Sequence, residues 1–365
     1  MLYRVIGVMS GSSLDGLDFA FVEIEELGGK WQYNLLKADC YPYPTDWQIK
    51  LSQAPTMAAV DFVKLDADYG RFIGDQINVF IEANQLEYKV GLIASHGHTA
   101  FHVPGSHSIQ IGAGAAIAAR TALPVVSDLR SLDVALGGQG APIVPMGEKL
   151  LFSSHRYFLN IGGIANISFN GDAYYDAFDV CPANRVLNML ANVVGKEFDE
   201  NGQLAAAGRI NEALLDQLNA KEFYLQDYPK SLANEFGTED IFPLVNSFAL
   251  DPSDALATYV EHVAIQVAAA VERISQKRVV DPTREKLLVT GGGALNGYLV
   301  SRLEKHLSPY AMEIEVPDHA TVQYKEALVM ALLGVLRWRE EETVIQTVTG
   351  ASRASVGGAL WLGGD

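Results

Sequence analysis

The chain has 365 residues, more than one hydrophobic core comfortably serves, so two domains are expected. Its net charge of -17 excludes nucleic acid and an anionic membrane surface as partners, because both are themselves negative. Cys40 and Cys181 are the only cysteines and stand far apart, no apolar run is long enough to span a bilayer, and no basic leader opens the chain; a soluble cytoplasmic protein is expected.

Arg4–Val8 is a short apolar strand, followed by a turn rich in Gly and Ser, an alternating strand at Asp18–Glu25 and a third strand at Trp31–Tyr41. Helical spacing of Val60, Val63, Phe72, Ile73, Ile77, Phe80 and Ile81 predicts a helix over Val60–Asn84. Val90–Ala94 is a strand leading into Ser95-His96-Gly97, Ser108–Ile111 a strand, Ala113–Arg120 a helix, and Leu123–Val126 a strand. The polar, glycine-rich segment Ser127–Pro145 is the expected crossing between lobes.

A second sheet then begins, with strands at Tyr157–Asn160, Asn166–Phe169 and Tyr175–Phe178 around a small-residue turn. Its opening repeats that of the N-terminus, the sign of a two-lobed fold made by duplication, with a ligand between the halves. Helices are predicted at Ala183–Val194, Gln203–Leu218, Asp254–Gln276, Asn296–His306 and Gln323–Arg339, and a strand at Leu287–Thr290. The predicted core is Val5, Ile6, Val8, Phe19, Phe21, Ile93, Ile111, Phe158, Leu159, Ile167, Leu288 and Val289. Residues 1–127 with 345–365 make lobe I in this reading, and residues 128–344 make lobe II.

Five segments could carry chemistry. In the first turn, Gly11, Ser12, Ser13 and Gly16 offer backbone N–H groups and hydroxyls to a phosphate, and Asp15 or Asp18 could hold a magnesium ion through water. The turn Asn160-Ile161-Gly162-Gly163-Ile164-Ala165-Asn166 would be a second phosphate clamp, with a plain hairpin as the alternative. Gly291, Gly292 and Gly293, between a strand and a helix, would let a nucleoside lie on the backbone beside a helix N-terminus. Asp179 is either a general base or a helix-capping aspartate. Arg130 and Asp133 lie where a sugar's hydroxyls and carboxylate would want them, in a stretch too polar for core.

Other leads are weaker. His96, His98, His102 and His107 crowd one segment, but Pro104 and Gly105 break it, so loop and pocket roles are preferred to a metal site. Gly112-x-Gly114-x-x-Ile117 lacks the third glycine of a dinucleotide fingerprint and is assigned to helix–sheet packing. Gly195-Lys196 is followed by Glu197, so no Walker A loop exists.

Several segments resemble those of the anhydro-N-acetylmuramic acid kinases, and they keep the family's order. They are GVMSGSSLDGLD, SHGHTAFHVP, SDLRSLDVALGGQGAPIVP, NIGGIANIS, VTGGGALNGYLVSRL and YKEALVMALLGVLR with TVTGASRASVGG. The resemblance implies an α/β, two-lobed, actin-like ATPase (ribonuclease H-like) fold with mixed sheets and an interlobe cleft. It implies a kinase that uses ATP, Mg2+ and water to open the 1,6-anhydro ring of a small amino sugar and phosphorylate O6. Gly11–Asp18 and Asn160–Asn166 would bind phosphates, Gly291–Gly293 the nucleotide, and Asp179 would be the base. His96, Arg130, Asp133 and Glu326 would line the sugar side, and family analogy implies a homodimer through the second lobe. The chain departs from the family's D-T-G-P-G-N at Asp179-Val180-Cys181-Pro182-Ala183-Asn184, carries His98 in place of glutamine and Ser12 in place of threonine, and lacks a Gly-Arg pair after Lys230-Ser231. Another sugar or a carboxylate as acceptor, or a nucleotide-dependent switch without turnover, stay open as alternatives.

Overall fold

Buried runs form β1 (Leu2–Ser10) and β2 (Gly16–Leu27), and a half-exposed alternating stretch forms β3 (Lys30–Pro42), an antiparallel meander in which Val8 faces Phe19. The chain is seen in a computed structural model that describes residues 1–11, 13–171, 174–228, 230–233, 235–277 and 285–364. Ser12 of the first turn lies outside them. Two helices, the short α1 (Thr45–Gln53) and the long α2 (Ala59–Ala83), lead to the buried strand β4 (Leu92–Ser95), which joins β1 in parallel with Ile6 beside Ile93. A two-stranded hairpin follows, β5 (His98–Val103) and β6 (His107–Ile111), then α3 (Gly114–Thr121) and β7 (Val125–Ser127), parallel to β4.

The resulting sheet runs from a C-terminal strand, Ala359–Trp361, through β7, β4, β1, β2 to β3. Leu65, Tyr69, Ile73, Ile77 and Phe80 form the apolar stripe of α2 over this sheet, at spacings of one helical turn. Val60 and Val63, part of the predicted periodicity, are exposed. Helices α4 (Ser131–Ala135) and α5 (Val144–Leu151) belong to the same unit, since a Cβ on Gly147 of α5 would lie 2.4 Å from Val329.

The second sheet repeats this order. Strands β8 (Tyr157–Ile161), β9 (Ile164–Asn170) and β10 (Tyr175–Pro182) form an antiparallel meander, and β11 (Lys286–Thr290) pairs in parallel with β8, followed by β12 (Glu313–Glu315). Three antiparallel strands extended by parallel ones, twice over, is the mixed-sheet α/β plan of the expected actin-like, ribonuclease H-like class. Helices α6 (Asn184–Asn192), α7 (Gln203–Ala207), α8 (Glu212–Asn219), α9 (Glu222–Leu225), α10 (Phe242–Ser247), α11 (Pro252–Lys277) and α12 (Gly297–Leu307) complete this unit, with the apolar face of α11 central to its core. All twelve residues of the predicted core are at most 2% exposed.

Three sequence expectations need correction. The compact units are Met1–Ser153 with Tyr324–Asp365, and Ser154–Gln323, not divisions at 127/128 and 344/345. The last long helix, α13 (His319–Trp338), starts in the second unit, departs from helical geometry at Tyr324, and continues in the first. There Gly7 of β1 lets the sheet meet its backbone, since a Cβ would sit 1.9 Å from the Ala327 carbonyl oxygen. The single helix expected over Gln203–Leu218 is α7 and α8, separated at Gly208, where a Cβ would lie 2.0 Å from the Ser253 carbonyl, and restarted by the Asn211 side chain accepting from Leu214 N. The histidine segment, expected to be loop, is the β5–β6 hairpin turning at Gly105, whose φ of 71° suits glycine.

Candidate functional site

In the first unit, chemistry-bearing residues collect at the ends of β1, β4 and β7. Leu14 holds a left-handed φ of 57°, bending the first turn so that Ser13 Oγ donates to Asp15 Oδ1 (2.7 Å), which also accepts from Gly16 N (3.0 Å). Gly16 cannot carry a side chain, because a Cβ would lie 2.6 Å from the Tyr41 carbonyl on β3. Gly11 has room, its nearest neighbour being Ser13 Oγ.

Asp18, opposite Met9 and Cys40 in the sheet, has its carboxyl raised to about 6. Burial is the largest cause; the Cys40 thiol bonded to it works the other way, and the negative charges of Asp15 and Glu326 add to the rise. Three carboxylates, Asp15, Asp18 and Glu326, therefore share one field. No group of three or more His, Cys, Asp or Glu among the described residues is arranged to hold a metal by itself.

His96 follows β4 and is buried. Its Nε2 accepts from Arg130 Nε (2.9 Å), so the ring proton sits on Nδ1, which donates to the Gly97 carbonyl (2.8 Å). Burial, then the neighbouring guanidinium, pushes the imidazole down to about 3, so it stays neutral. Arg130 Nη1 donates to the Gly140 carbonyl (2.7 Å), and burial lowers the guanidinium to about 10 against the pull of Glu326. His96, Arg130, Glu326 and Asp18 thus form one electrostatic chain.

Asp133 belongs to its support. It is 1% exposed, with Oδ2 accepting from Gly140 N (2.8 Å) and Oδ1 from Thr349 Oγ1 (2.6 Å). Both oxygens are occupied, so this carboxylate shapes the Gly137–Gly140 turn that carries the Arg130 contact. Sequence reasoning missed Ser10 and Tyr43. Ser10 Oγ pairs with His98 Nδ1 (3.0 Å) and accepts from the Tyr43 hydroxyl (2.8 Å), a buried network that pins the end of β1. His98 stood out among the crowded histidines, but nothing local marked Tyr43 or joined it to Ser10.

In the second unit, pairing sets Asp179, Asn166, Asn160 and Thr290 in one row across β10, β9, β8 and β11. Asp179 is not a helix cap: it lies on β10 at an irregularity in pairing, and the residue preceding α6 is Ala183. Its N–H donates to the Lys230 carbonyl (3.0 Å), and its Oδ2 accepts from Leu232 N (2.8 Å). Partial burial raises its carboxyl above the ordinary value, and the Leu232 bond opposes that rise. Lys230 is itself lowered to about 8, chiefly by burial and then by Arg273.

The turn at Gly162–Gly163 is clamped from α6. Ala183 N donates to the Gly163 carbonyl (2.8 Å), Asn184 N to that of Gly162 (3.0 Å), and Asn184 Nδ2 to that of Ile161 (3.0 Å). Asn166 is exposed. Gly291, with φ of 79°, and Gly293 let the backbone close on Asn160 and Ile161, since a Cβ on Gly293 would lie 2.2 Å from Ile161 Cγ2. Gly292 is the exposed one, and it borders a pocket of about 260 Å³ with Asn184, Leu187, Phe198, Asn201 and Asn296. Sequence reading marked the glycines of this pocket and not its apolar walls, Leu187 and Phe198, which look like ordinary helix and loop residues.

No helix among the described residues is long and apolar enough to cross a membrane. The family model described as anhydro-N-acetylmuramic acid kinase matches residues 3–363. A protein of that name from Haemophilus influenzae is 32% identical over 381 residues, covering 98% of this chain and 97% of its own. One from Coxiella burnetii is 32% identical over 376 residues, covering 99% and 98%. Among solved structures, the activator of the 2-hydroxyisocaproyl-CoA dehydratase from Clostridium difficile with bound ADPNP has a TM-score of 0.46 and 16% identity, covering 92% of this chain and 96% of that one. That likeness is too slight to carry weight beside the strand order. Relatedness to the kinases extends over the whole chain, which belongs to the anhydro-N-acetylmuramic acid kinase family.

Proposed function

We propose that this chain uses ATP and water to open the 1,6-anhydro ring of anhydro-N-acetylmuramic acid and to phosphorylate O6, giving N-acetylmuramate 6-phosphate. The observation that carries this reading is Asp179: a half-buried carboxylate held through one oxygen by Leu232 N, with no hydrogen bond to Oδ1 among the described residues. Oδ1 takes a proton from the water attacking C1. The C1–O6 bond breaks, its electron pair stays on O6, and O6 forms the bond to the γ-phosphorus as the bond to ADP breaks. The raised carboxyl suits a base, because a more basic carboxylate takes the proton more readily.

Phosphoryl transfer asks for positioning and neutralisation of charge more than for covalent help. In this reading Gly11, Ser12, Ser13 and Gly16 hold phosphate oxygens, as do Asn160, Gly162, Gly163 and Asn166. The pocket beside Gly292 takes the nucleoside, with Gly291 and Gly293 setting its floor. Asp15 and Asp18 suit Mg2+, which keeps most of its waters and needs only one or two carboxylates besides phosphate oxygens. The ion, when bound, offsets phosphate charge. Arg130 and Glu326 face the sugar, with His96 holding the Arg130 guanidinium and Asp133 fixing the turn that orients it. A cytoplasmic homodimer completes the reading, on family kinship.

The test is incubation with ATP, Mg2+ and 1,6-anhydro-N-acetylmuramic acid. A sugar product heavier by one water and one phosphoryl group, formed with equal ADP, is expected. ADP release that ignores the sugar refutes the acceptor.

A further inference from the structure

Gly112 and Gly114 do more than allow packing. With Asp66, Ser95, Gln110 and Trp361 they border a pocket of about 310 Å³ in the first unit. A Cβ on Gly114 would lie 2.2 Å from Ser127 Oγ and 2.6 Å from Trp361 Nε1, so glycine keeps α3 close to β7 and the C-terminal strand. His96 is shared between this pocket and the Arg130 chain described above.

The wall chemistry is mixed in a specific way. Ala113 has no side chain with which to cap α3, so the N–H groups of its first turn, Gly114 and Ala115, are left to face whatever sits there. Ser95 Oγ, in a residue with 0% exposure, has no hydrogen-bond partner among the described residues. Buried hydroxyls are nearly always bonded, which makes this one a mark of a missing ligand group. Gln110 Oε1 is likewise buried and without a partner among them, while its Nε2 donates to Ser108 Oγ (2.9 Å) and Thr99 Oγ1 (3.2 Å). Asp66 accepts from Gly112 N through Oδ1 (2.7 Å) and from Ala113 N through its carbonyl (3.2 Å).

A bare anion would meet the carboxylates of Asp66 and Asp128, and a cation would meet the positive end of α3. A neutral group carrying an acceptor and a donor side by side satisfies both walls. We propose that this pocket is the subsite for an amide-bearing substituent of the acceptor sugar. Its carbonyl accepts from Ser95 Oγ and the first turn of α3, its N–H donates to Gln110 Oε1 or Asp66, and its methyl end lies on Trp361. The assignment rests on the sugar-kinase reading above and makes the acetamido group a specificity determinant.

The experiment uses the full chain, two 1,6-anhydro sugars that differ only in acetamido against hydroxyl, and the variants Ser95→Ala and Ala115→Phe. Ser95→Ala removes a hydroxyl that bonds nothing in the described chain, and Ala115 is exposed, so both should fold. Calorimetry gives sugar affinity, and coupled ADP release gives kcat and KM. Loss of one hydrogen bond predicts about a tenfold weaker KM for the acetamido sugar in Ser95→Ala, no change for the hydroxyl sugar, and unchanged ATP affinity. Ala115→Phe should erase the preference between the two sugars. If both sugars turn over and neither variant alters the preference, the subsite is wrong while the kinase reading stands. If wild-type protein binds neither sugar, the kinase reading falls and the subsite with it.

Discussion

Asp18 should cost the fold stability at neutral pH, and its replacement by Asn should return it. The carboxyl has an ordinary value of 3.8 and is held at about 6, first by burial and then by Asp15 and Glu326. The charged form is therefore disfavoured in the folded state. Between the two values the folded chain holds a proton that the unfolded chain has lost, so stability falls as pH rises through this window and stays lower above 6. The two values stand about two pH units apart, which at about 1.36 kcal/mol each corresponds to about 3 kcal/mol. Asp18 is only partly buried, and solvent screening reduces this to about 1–2 kcal/mol. Asn keeps an acceptor for the Cys40 thiol and removes the charge. Asp18→Asn should therefore raise the melting point by about 2–8 °C at pH 7.5, without Mg2+ or nucleotide. At pH 4 the gain should vanish, because wild-type Asp18 is then already protonated in the fold. Kinase activity should fall at least about 100-fold, as Mg2+ loses a ligand-bearing carboxylate. A variant that melts lower at pH 7.5, or gains equally at both pH values, refutes the reasoning.

Asp179→Asn should abolish sugar turnover and leave ATP affinity within about twofold, measured by calorimetry; lost ATP binding would make Asp179 structural. In the wild type, kcat/KM should fall on acidification through a value above the ordinary 3.8, because the base must be charged and burial raises it; an acid limb at or below that value contradicts the assignment. Gly7→Ala should destabilise by about 3 kcal/mol or more in urea, since its Cβ would lie 1.9 Å from the Ala327 carbonyl oxygen of α13. Lys325 Nζ and Glu148 Oε1 are 3.1 Å apart with both side chains 6% exposed, so Glu148→Gln should cost about 3–5 kcal/mol by stranding a buried ammonium. Glu148→Leu with Lys325→Met should cost clearly less, and equal losses would refute the ion-pair account.

The strands and their polar ends were legible because two signals coincide there. Apolar runs such as Val5–Val8 and Phe158–Leu159 announce buried strands, and clusters of Gly, Ser and Asn announce turns at their ends. The rows that include Asp18 and Asp179 follow from pairing those strands. Helix α1 was not legible, since Leu51 is its one buried residue and leaves no periodic stripe. The unit boundaries were misplaced because α4 and α5 look like a polar crossing, while their packing against residues such as Val329 is a tertiary fact. Asp133 was read as facing a ligand because it is charged in a glycine-rich stretch; the two bonds that bury it come from Gly140 and Thr349. The pocket around Ser95 gathers residues from five separate segments, and no local pattern could have assembled Asp66, Gln110 and Trp361.

The central claim is that water attacks C1 while O6 receives the phosphoryl group. Its most direct measurement is a short reaction in water labelled with oxygen-18, with ATP, Mg2+ and 1,6-anhydro-N-acetylmuramic acid, followed by mass analysis of the sugar phosphate and its fragments. The account predicts one labelled oxygen at C1 and none in the phosphoryl group. Label in free phosphate, with the anhydro ring intact, would mean that water attacks ATP and that this chain is not the kinase proposed.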